Sequence, residues 1–194
     1  MNVENKNNLY PIFLKVHQLN VLIVGGGTVA LEKLSFLLKS SPNANVKVVS
    51  ITFDEELQKL AEKHKVNLIS DMYRAKYLED QHIVIGATND YRINQQIYID
   101  ATINNILVNI ADTPDLCDFY LGGIVTKGNV KIAISTNGKS PTMAKRLRQF
   151  FEEVLPESID DLVLNLNQYR SNIKGDFREK VNSLNKLTKS IIYN

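Results

Sequence analysis

Residues 20–39, NVLIVGGGTVALEKLSFLLK, join an apolar run to a glycine-rich loop and then to a segment with helical spacing. The apolar run 21–24 predicts a buried strand, and Leu34, Leu37 and Leu38 share one face of a predicted helix over 31–39. Between them, residues 25–30 read GGGTVA and fit the pattern G-x-G-x-x-G/A. This order is typical of a dinucleotide-binding unit, although a tight strand-to-helix turn also needs glycine.

The alternation of strand and helix continues along the chain. Apolar runs predict further strands at residues 46–50, 66–69, 82–87 and 107–110. Segments with apolar residues at helical spacing predict helices over 54–64 and 89–101. Strands that alternate with helices form a parallel sheet covered by helices on both faces. We therefore predict an α/β protein with a doubly wound parallel sheet up to residue 112.

The pattern changes after this sheet. Two β-like runs, 119–126 and 130–135, flank Lys127-Gly128-Asn129 and predict either a hairpin or an extension of the sheet. A helix is predicted over 141–154, with Ser140 as its cap. From Ile159 to Ile191 apolar residues keep helical spacing, and Gly175 is expected to break or bend this segment. The chain thus consists of a sheet, a small β element and a helical tail.

Composition excludes several classes of protein. The 194 residues are 44% hydrophobic, and 23 Lys and Arg against 21 Asp and Glu leave a net charge of +2, too balanced to indicate nucleic acid or a membrane surface. No apolar run reaches the ~20 residues of a membrane span, and the polar start MNVENKNN is not expected to be a secretory signal. The only cysteine is Cys117, which fits a cytoplasmic protein. The three histidines show no metal-ligand spacing.

Each small residue of the loop has an expected role. The first glycine allows a tight turn, the next lets the backbone approach a pyrophosphate, and the small Ala30 lets helix and strand pack closely. An acidic residue about 20 positions later usually binds the ribose. Here the second strand ends in residues 50–53, SITF, and Asp54 comes late, so Thr52 or backbone groups are expected to hold the ribose. No Arg follows to attract a 2′-phosphate, which favours NAD over NADP.

A family resemblance covers essentially the whole chain. Its segments are residues 10–33, YPIFLKVHQLNVLIVGGGTVALEK, residues 85–97, IGATNDYRINQQI, and residues 108–156. In this order and spacing they resemble the N-terminal module of siroheme synthases, the precorrin-2 dehydrogenase family, some of whose members are also sirohydrochlorin ferrochelatases. The runs NIADTP at 109–114 and ISTNGKSP at 134–141 are much more specific than the glycine loop.

The resemblance implies a fold and an activity. It implies NAD-dependent oxidation of the tetrapyrrole precorrin-2 to sirohydrochlorin in siroheme or cobalamin synthesis, followed in some members by insertion of Fe²⁺. It also implies a homodimer with a Rossmann-like NAD-binding domain at 1–113, a dimerisation element at 114–150 and a helical domain at 151–194. The sequence lacks the methyltransferase domain that some members carry, so we expect a separate enzyme to supply precorrin-2.

The resemblance also implies site residues. The family's cofactor contacts fall on Gly25, Gly27, Thr28, Val29, Ile51 and Thr52. Its catalytic acidic residue falls on Asp112, and its Ser/Thr-Gly-x-Ser-Pro loop before the helix falls on Thr136, Gly138, Ser140 and Pro141. This loop is a substrate-binding candidate, and its Lys139 adds a cation that suits a substrate with many carboxylates. Thr136 stands where some relatives have serine, and Gly122-Gly123 replace a Pro-Ser step.

Three residues on or near the fifth strand allow alternative interpretations. Asp112 follows the strand at the carboxyl edge of the sheet, where open α/β sheets bind ligands. It is either the base that takes a proton as hydride leaves, or the residue that orders the Thr113-Pro114 turn. Asn109 either orients substrate or satisfies the backbone. Cys117 either lines the site or is a small packing residue.

Three functional hypotheses follow. The first is a precorrin-2 dehydrogenase, with or without chelatase activity. The second is a non-catalytic NAD-binding module that senses redox state, because folds of this type serve many functions. The third is a chelatase that never uses NAD. Asp112 and the 134–141 loop favour the first, since a sensor has no need of them.

Overall fold

The computed structural model describes residues 7–189. The polar start of the chain up to residue 6 and the predicted helical position Ile191 lie outside this range. The sheet region contains β1 (Asn20–Val24), α1 (Thr28–Ser40), β2 (Asn45–Ser50), α2 (Glu55–His64), β3 (Asn67–Ser70), β4 (Ile83–Gly86), α3 (Tyr91–Ile103) and β5 (Leu107–Ile110). It is followed by β6 (Gly123–Lys127), β7 (Val130–Ile134), α4 (Pro141–Val154), α5 (Ile159–Asn172) and α6 (Phe177–Thr188). Short 3-10 helices lie at Val16–Gln18, Ala75–Leu78 and Pro114–Leu116.

The first five strands form one parallel sheet in the order β3-β2-β1-β4-β5. The chain moves outward from β1 to β3 and then returns to the other side of β1 with β4, where Val24 is paired with Gly86. This is the Rossmann strand order, with its reversal between β1 and β4. The predicted fold class is therefore confirmed. The connection from β3 to β4 carries only the short 3-10 helix Ala75–Leu78.

Apolar side chains cover both faces of the sheet. One cluster packs α1 and α2 against it through Leu34, Leu38 and Leu57, and the other packs α3 through Ile97 and Ala101. The four apolar residues of β1 are at most 2% exposed. The central strands are buried on both faces, which explains their continuous rather than alternating apolar runs.

Helix α1 begins at Thr28, three residues before the start that periodicity predicts. Gly27, with an extended backbone, is its N-terminal cap residue. Ala30, Leu34 and Leu38 are the buried residues of α1 and lie four positions apart, so the helical spacing already begins at Ala30, inside the glycine-loop motif. The helix over 141–154 has the predicted bounds, and the side chain of its cap Ser140 accepts a hydrogen bond from Met143 N.

Strands β6 and β7 form a separate two-stranded antiparallel sheet, so the hairpin alternative is the one the structure adopts. Its turn contains Gly128 at φ +54°. The Asp160 carboxylate of α5 accepts hydrogen bonds from the backbone N and side-chain Nδ2 of Asn129, both at 2.7 Å. The predicted break at Gly175 is confirmed, because α5 ends at Asn172 and α6 begins after a capping box of Asp176 with Glu179.

The chain divides into two compact units. The first comprises the residues up to Leu121 together with Asn137–Lys139, and the second comprises Gly122–Thr136 and the residues from Ser140 onward. The hairpin is thus grouped with the C-terminal helices rather than forming a unit of its own. The functional division at residues 113 and 150 stays a prediction. Over residues 7–189, no helix combines the length and apolar character that crossing a bilayer requires.

Candidate cofactor and substrate site

The glycine loop lies at the carboxyl end of β1, and its first two glycines are required for packing. Gly25 has φ +129°, and a Cβ atom there would collide with the carbonyl oxygen of Ala87 after β4. A Cβ atom on Gly26 would collide with the carbonyl oxygen of Thr52. Gly26 O also accepts a hydrogen bond from Asp54 N at 2.7 Å. The glycine loop thus packs closely against the residues that follow β4 and β2. The sequence motif did not predict that Gly26 is needed for this packing.

Gly27 differs from the other two glycines. A Cβ atom there would meet nothing within 4 Å, and the residue has an ordinary extended backbone, so neither packing nor conformation requires glycine. It precedes the first turn of α1 and supplies no side-chain cap. The first-turn N–H groups, which include those of Thr28 and Val29, have no intrahelical acceptor. An open space beside unpaired N–H groups at a helix N-terminus fits a phosphate-bearing cofactor.

The end of β2 offers a hydrophobic surface rather than an acid. The Ile51 side chain is 68% exposed. The side chain of Asp54 accepts a hydrogen bond from Glu56 N at 2.9 Å and caps α2. Asp54 lies four residues beyond the last residue of β2 and belongs to the start of α2, so no acidic residue directly follows β2. Thr52 is exposed beside Ile51, and its carbonyl oxygen faces Gly26.

Asp112 lies just past β5, at the same edge of the sheet as the glycine loop. Its side chain is exposed and its backbone is left-handed, with φ +58°, a conformation that Asp tolerates better than most residues. Among residues 7–189 the Asp112 carboxylate accepts no hydrogen bond. The 3-10 helix that follows has Thr113 as its cap residue, without a side-chain cap. The Asp112 carboxylate therefore does not cap the turn, and it is free to contact a ligand.

Asn109 is a buried part of the strand end. Its side chain is 7% exposed, and Nδ2 donates to the Phe119 carbonyl oxygen at 2.8 Å. Its backbone forms a bridge with Cys117, whose Sγ lies 3.3 Å from the carbonyl oxygens of both Ile110 and Thr113. Burial raises the pKa of the Cys117 thiol. The side chains of Asn109 and Cys117 thus both form hydrogen bonds with backbone carbonyl oxygens. Contact of Asn109 with the substrate stays a prediction.

In the predicted substrate loop, residues 136–140, the hydroxyl group of the first residue bonds to the backbone of the last. Thr136 Oγ1 donates to the Ser140 carbonyl oxygen at 3.0 Å and lies 3.3 Å from the Ser140 backbone N. Gly138 has φ +70°, and a Cβ atom on it would meet nothing within 4 Å. Lys139 is exposed. A serine at position 136, as in some relatives, would carry the same hydroxyl group. The threonine of this chain therefore keeps the hydrogen bond to Ser140.

Sequence reasoning missed a polar cluster at the carboxyl end of β3. Asp71 directly follows this strand, and its backbone N donates to the Ser50 carbonyl oxygen at 3.1 Å. The Asp71 carboxylate accepts hydrogen bonds from Tyr77 Oη at 2.5 Å and from Arg74 Nη2 at 3.2 Å. The hydrogen bond from Tyr77 lowers the pKa of Asp71. The rule that singled out Asp112, an acid just past a parallel strand, applies equally to Asp71.

Within residues 7–189, no group of three or more His, Cys, Asp or Glu side chains could hold a metal ion.

Comparison with known families covers most of the sequence. The family described as "Putative NAD(P)-binding" matches residues 12–123, more than half of the chain. This chain belongs to that NAD(P)-binding family. A second family, described as "Sirohaem biosynthesis protein central", matches residues 127–153. The two matches follow one another along the chain, from the sheet to α4.

Individual relatives agree with these matches. The siroheme synthase of Psychrobacter arcticus is 40% identical over 168 residues, which are 87% of this chain and 30% of the relative. That of Nitrosococcus oceani is 38% identical over 164 residues, 84% of this chain and 35% of the relative. The chain thus spans about a third of the length of these curated relatives. The resemblance to the N-terminal module of siroheme synthases is confirmed.

A solved structure has the same fold. The protein named "SirC, precorrin-2 dehydrogenase" superposes with a TM-score of 0.73 over 92% of this chain and 89% of its own, at 24% identity. The match covers nearly the whole of both chains and shows a common fold.

Proposed function

We propose that this protein oxidises precorrin-2 to sirohydrochlorin with NAD as the hydride acceptor. The observation that carries the proposal is the pairing of two features at one edge of the sheet. Gly27 leaves an open approach to the N-terminus of α1, and the Asp112 carboxylate has no hydrogen-bond partner among the described residues. Membership of an NAD(P)-binding family and similarity to siroheme synthases support the same activity.

The cofactor-binding residues follow from the loop geometry. We assign the pyrophosphate to the backbone beside Gly25 and Gly27 and to the first-turn N–H groups of Thr28 and Val29. The exposed Ile51 and Thr52, at the end of β2, are assigned to the adenosine half. When bound, nicotinamide supplies a hydride acceptor, and this chain's own residues supply position and proton transfer.

Asp112 is assigned as the base. Oxidation of a ring carbon pair removes a hydride and a proton, and the proton needs an acceptor. A carboxylate that is exposed and not occupied by a backbone cap can take that proton and release it to solvent.

The substrate carries many carboxylates, and we assign their binding to the loop 136–140. Lys139 is exposed and cationic, and Gly138 leaves its neighbourhood open. Thr136 and Ser140 fix the loop through their hydrogen bond, and Ser140 also caps α4. Asn109 is assigned to hold the strand end beside Asp112 in place.

We further propose a homodimer. The hairpin of β6 and β7 is a two-stranded sheet, and among residues 7–189 no further strand pairs with either of its edges. Helix α4 exposes an apolar stripe at helical spacing, consisting of Met143, Leu147, Phe150 and Val154, whose exposure ranges from 36% to 56%. A second copy of the chain that covers this stripe would remove that apolar surface from water. The family resemblance implies the same assembly.

The test is direct conversion. Purified protein is incubated with precorrin-2 and NAD, and the absorbance of NADH and of sirohydrochlorin is followed. Appearance of both products at equal rates supports the proposal, with Asp112→Asn as the matched inactive control. If NAD binds but neither product forms, the redox-sensing alternative is favoured. Product without any requirement for NAD would contradict the cofactor assignment.

A second experiment tests whether the protein also inserts Fe²⁺ into sirohydrochlorin. The same preparation is given sirohydrochlorin and Fe²⁺, and siroheme formation is measured. Formation above the uncatalysed rate supports a chelatase that acts in siroheme synthesis. Its absence leaves the dehydrogenase alone and allows the product to enter either the siroheme or the cobalamin branch. We place these reactions in the cytoplasm, which suits the free thiol of Cys117.

A further inference from the structure

An acidic residue directly follows β3, the strand next to β2. In the parallel pair of β2 and β3, Ser50 is paired with Ser70, so Asp71 lies level with Ile51. Two hydrogen bonds fix this arrangement: Asp71 N donates to Ser50 O at 3.1 Å, and Ser70 Oγ donates to Ile51 O at 3.2 Å. Asp71 therefore lies beside the strand end to which the adenosine half of the cofactor is assigned.

Two cations accompany this carboxylate. Arg74 forms an ion pair with Asp71 at 3.2 Å, with 52% of its side chain exposed. The Lys76 ammonium lies 5.0 Å above the ring of Tyr77, the residue that donates to the other Asp71 oxygen. The segment that follows β2 contains no arginine, and Arg74, which follows β3, is the first one along the chain. The fold brings Arg74 to the same edge from the next strand.

We propose that Asp71 selects NAD over NADP by holding Arg74 in an ion pair and by placing a negative charge beside the ribose. This rests on the proposed binding of NAD at the glycine loop. NADP differs from NAD by a 2′-phosphate with up to two negative charges. A nearby carboxylate repels that group, and an arginine whose charge is offset attracts it weakly. The same arginine, released from Asp71, would be a phosphate ligand.

The experiment measures dissociation constants of NAD and NADP by calorimetry for the wild type and four variants. Wild type should bind NAD more tightly than NADP. Asp71→Asn keeps the shape and can still accept from Tyr77, but it removes the charge and frees Arg74. We expect it to lower the ratio Kd(NADP)/Kd(NAD) by at least about tenfold. Because the attraction is electrostatic, about 1 M salt, which reduces the screening length to about 3 Å, should abolish most of this change.

Arg74→Ala should move the ratio in the opposite direction, since it leaves the Asp71 carboxylate without its partner. The double variant Asp71→Asn/Arg74→Ala should return near the wild-type ratio, because both charges are gone. Asp80→Asn is the matched control: it removes the same charge at the opposite edge of the sheet, where the Asp80 carbonyl accepts from Asn20 at the start of β1. It should leave the ratio unchanged.

Three outcomes overturn the inference. One is a wild type that prefers NADP. Another is a folded Asp71→Asn variant whose ratio stays within about twofold of wild type. If that variant does not fold, as judged by circular dichroism, Arg74→Ala decides alone, and an unchanged or lowered ratio refutes the role of Asp71. Absence of NAD binding by the wild type is a different failure: it removes the proposed function itself and this inference with it.

Discussion

The substitution Gly27→Asp separates cofactor binding from folding. Gly27 is the cap residue of α1, its backbone is extended at φ −93°, and a Cβ atom there would meet nothing within 4 Å. Aspartate is a better helix cap than glycine by a few tenths of a kcal/mol. We therefore expect the variant to fold and to melt at or slightly above the wild-type temperature. The new carboxylate would lie where the pyrophosphate is assigned.

The expected loss of affinity follows from charge repulsion. Two like charges 4 Å apart repel by about 4 kcal/mol at an effective dielectric constant of 20. Screening by salt and movement of the side chain reduce this value, but the pyrophosphate carries two charges. We expect at least about 2.7 kcal/mol of lost binding free energy, which corresponds to a Kd for NAD about 100-fold weaker.

Calorimetric titration with NAD measures this loss, with two variants as controls. Gly27→Asn has the same shape and also caps the helix but is neutral, so it should lose much less affinity than Gly27→Asp. Gly25→Ala should instead destabilise the fold by about 1–3 kcal/mol, because its Cβ would collide with the Ala87 carbonyl. An unchanged Kd in a folded Gly27→Asp variant would show that the loop is only a turn.

Four further predictions concern other parts of the chain. Asp112→Asn should keep NAD affinity and melting temperature but lose about 10²–10⁴-fold in turnover, as measured by NADH formation; near wild-type turnover would exclude the base. Phe150→Glu, a charge in the apolar stripe of α4, should convert a dimer to a monomer in light scattering, and a wild type that is already monomeric contradicts this. Ser140→Ala should cost about 1 kcal/mol in a denaturant titration, through loss of the α4 cap. Burial, together with a hydrogen bond to Asp100, raises the pKa of Tyr73. The stability that Tyr73 contributes to the fold is therefore present below about pH 10 and falls as the pH rises above that value. Over the same rise in pH, the melting temperature of Tyr73→Phe should fall less than that of the wild type.

The sequence by itself determined the secondary structure and the class of the fold. Buried strands such as 21–24 carry continuous apolar runs, and helices carry apolar residues at 3.6-residue spacing, so both leave local signals. Gly175 and the Ser140-Pro141 pair marked a break and a helix start for equally local reasons. The start of α1 was predicted one turn late because residues 28–30 also belong to the glycine-loop motif, although Ala30 already lies on the buried face of the helix.

Only the tertiary structure decided what each site residue contacts. Three consecutive glycines look alike in sequence, yet a Cβ atom on Gly25 would collide with the backbone of Ala87, just after β4, and one on Gly26 with the backbone of Thr52 in the β2–α2 loop. A Cβ atom on Gly27, in contrast, would meet nothing within 4 Å. Asn109 and Asp112 are three residues apart, but one is buried on a backbone carbonyl and the other is exposed without a partner among residues 7–189. Asp71 reaches the end of β2 through a strand pairing between residues far apart in the chain. The physical reason is common to all three cases: periodicity reports burial along one segment, whereas contacts between strand ends depend on the order and register in which the sheet assembles.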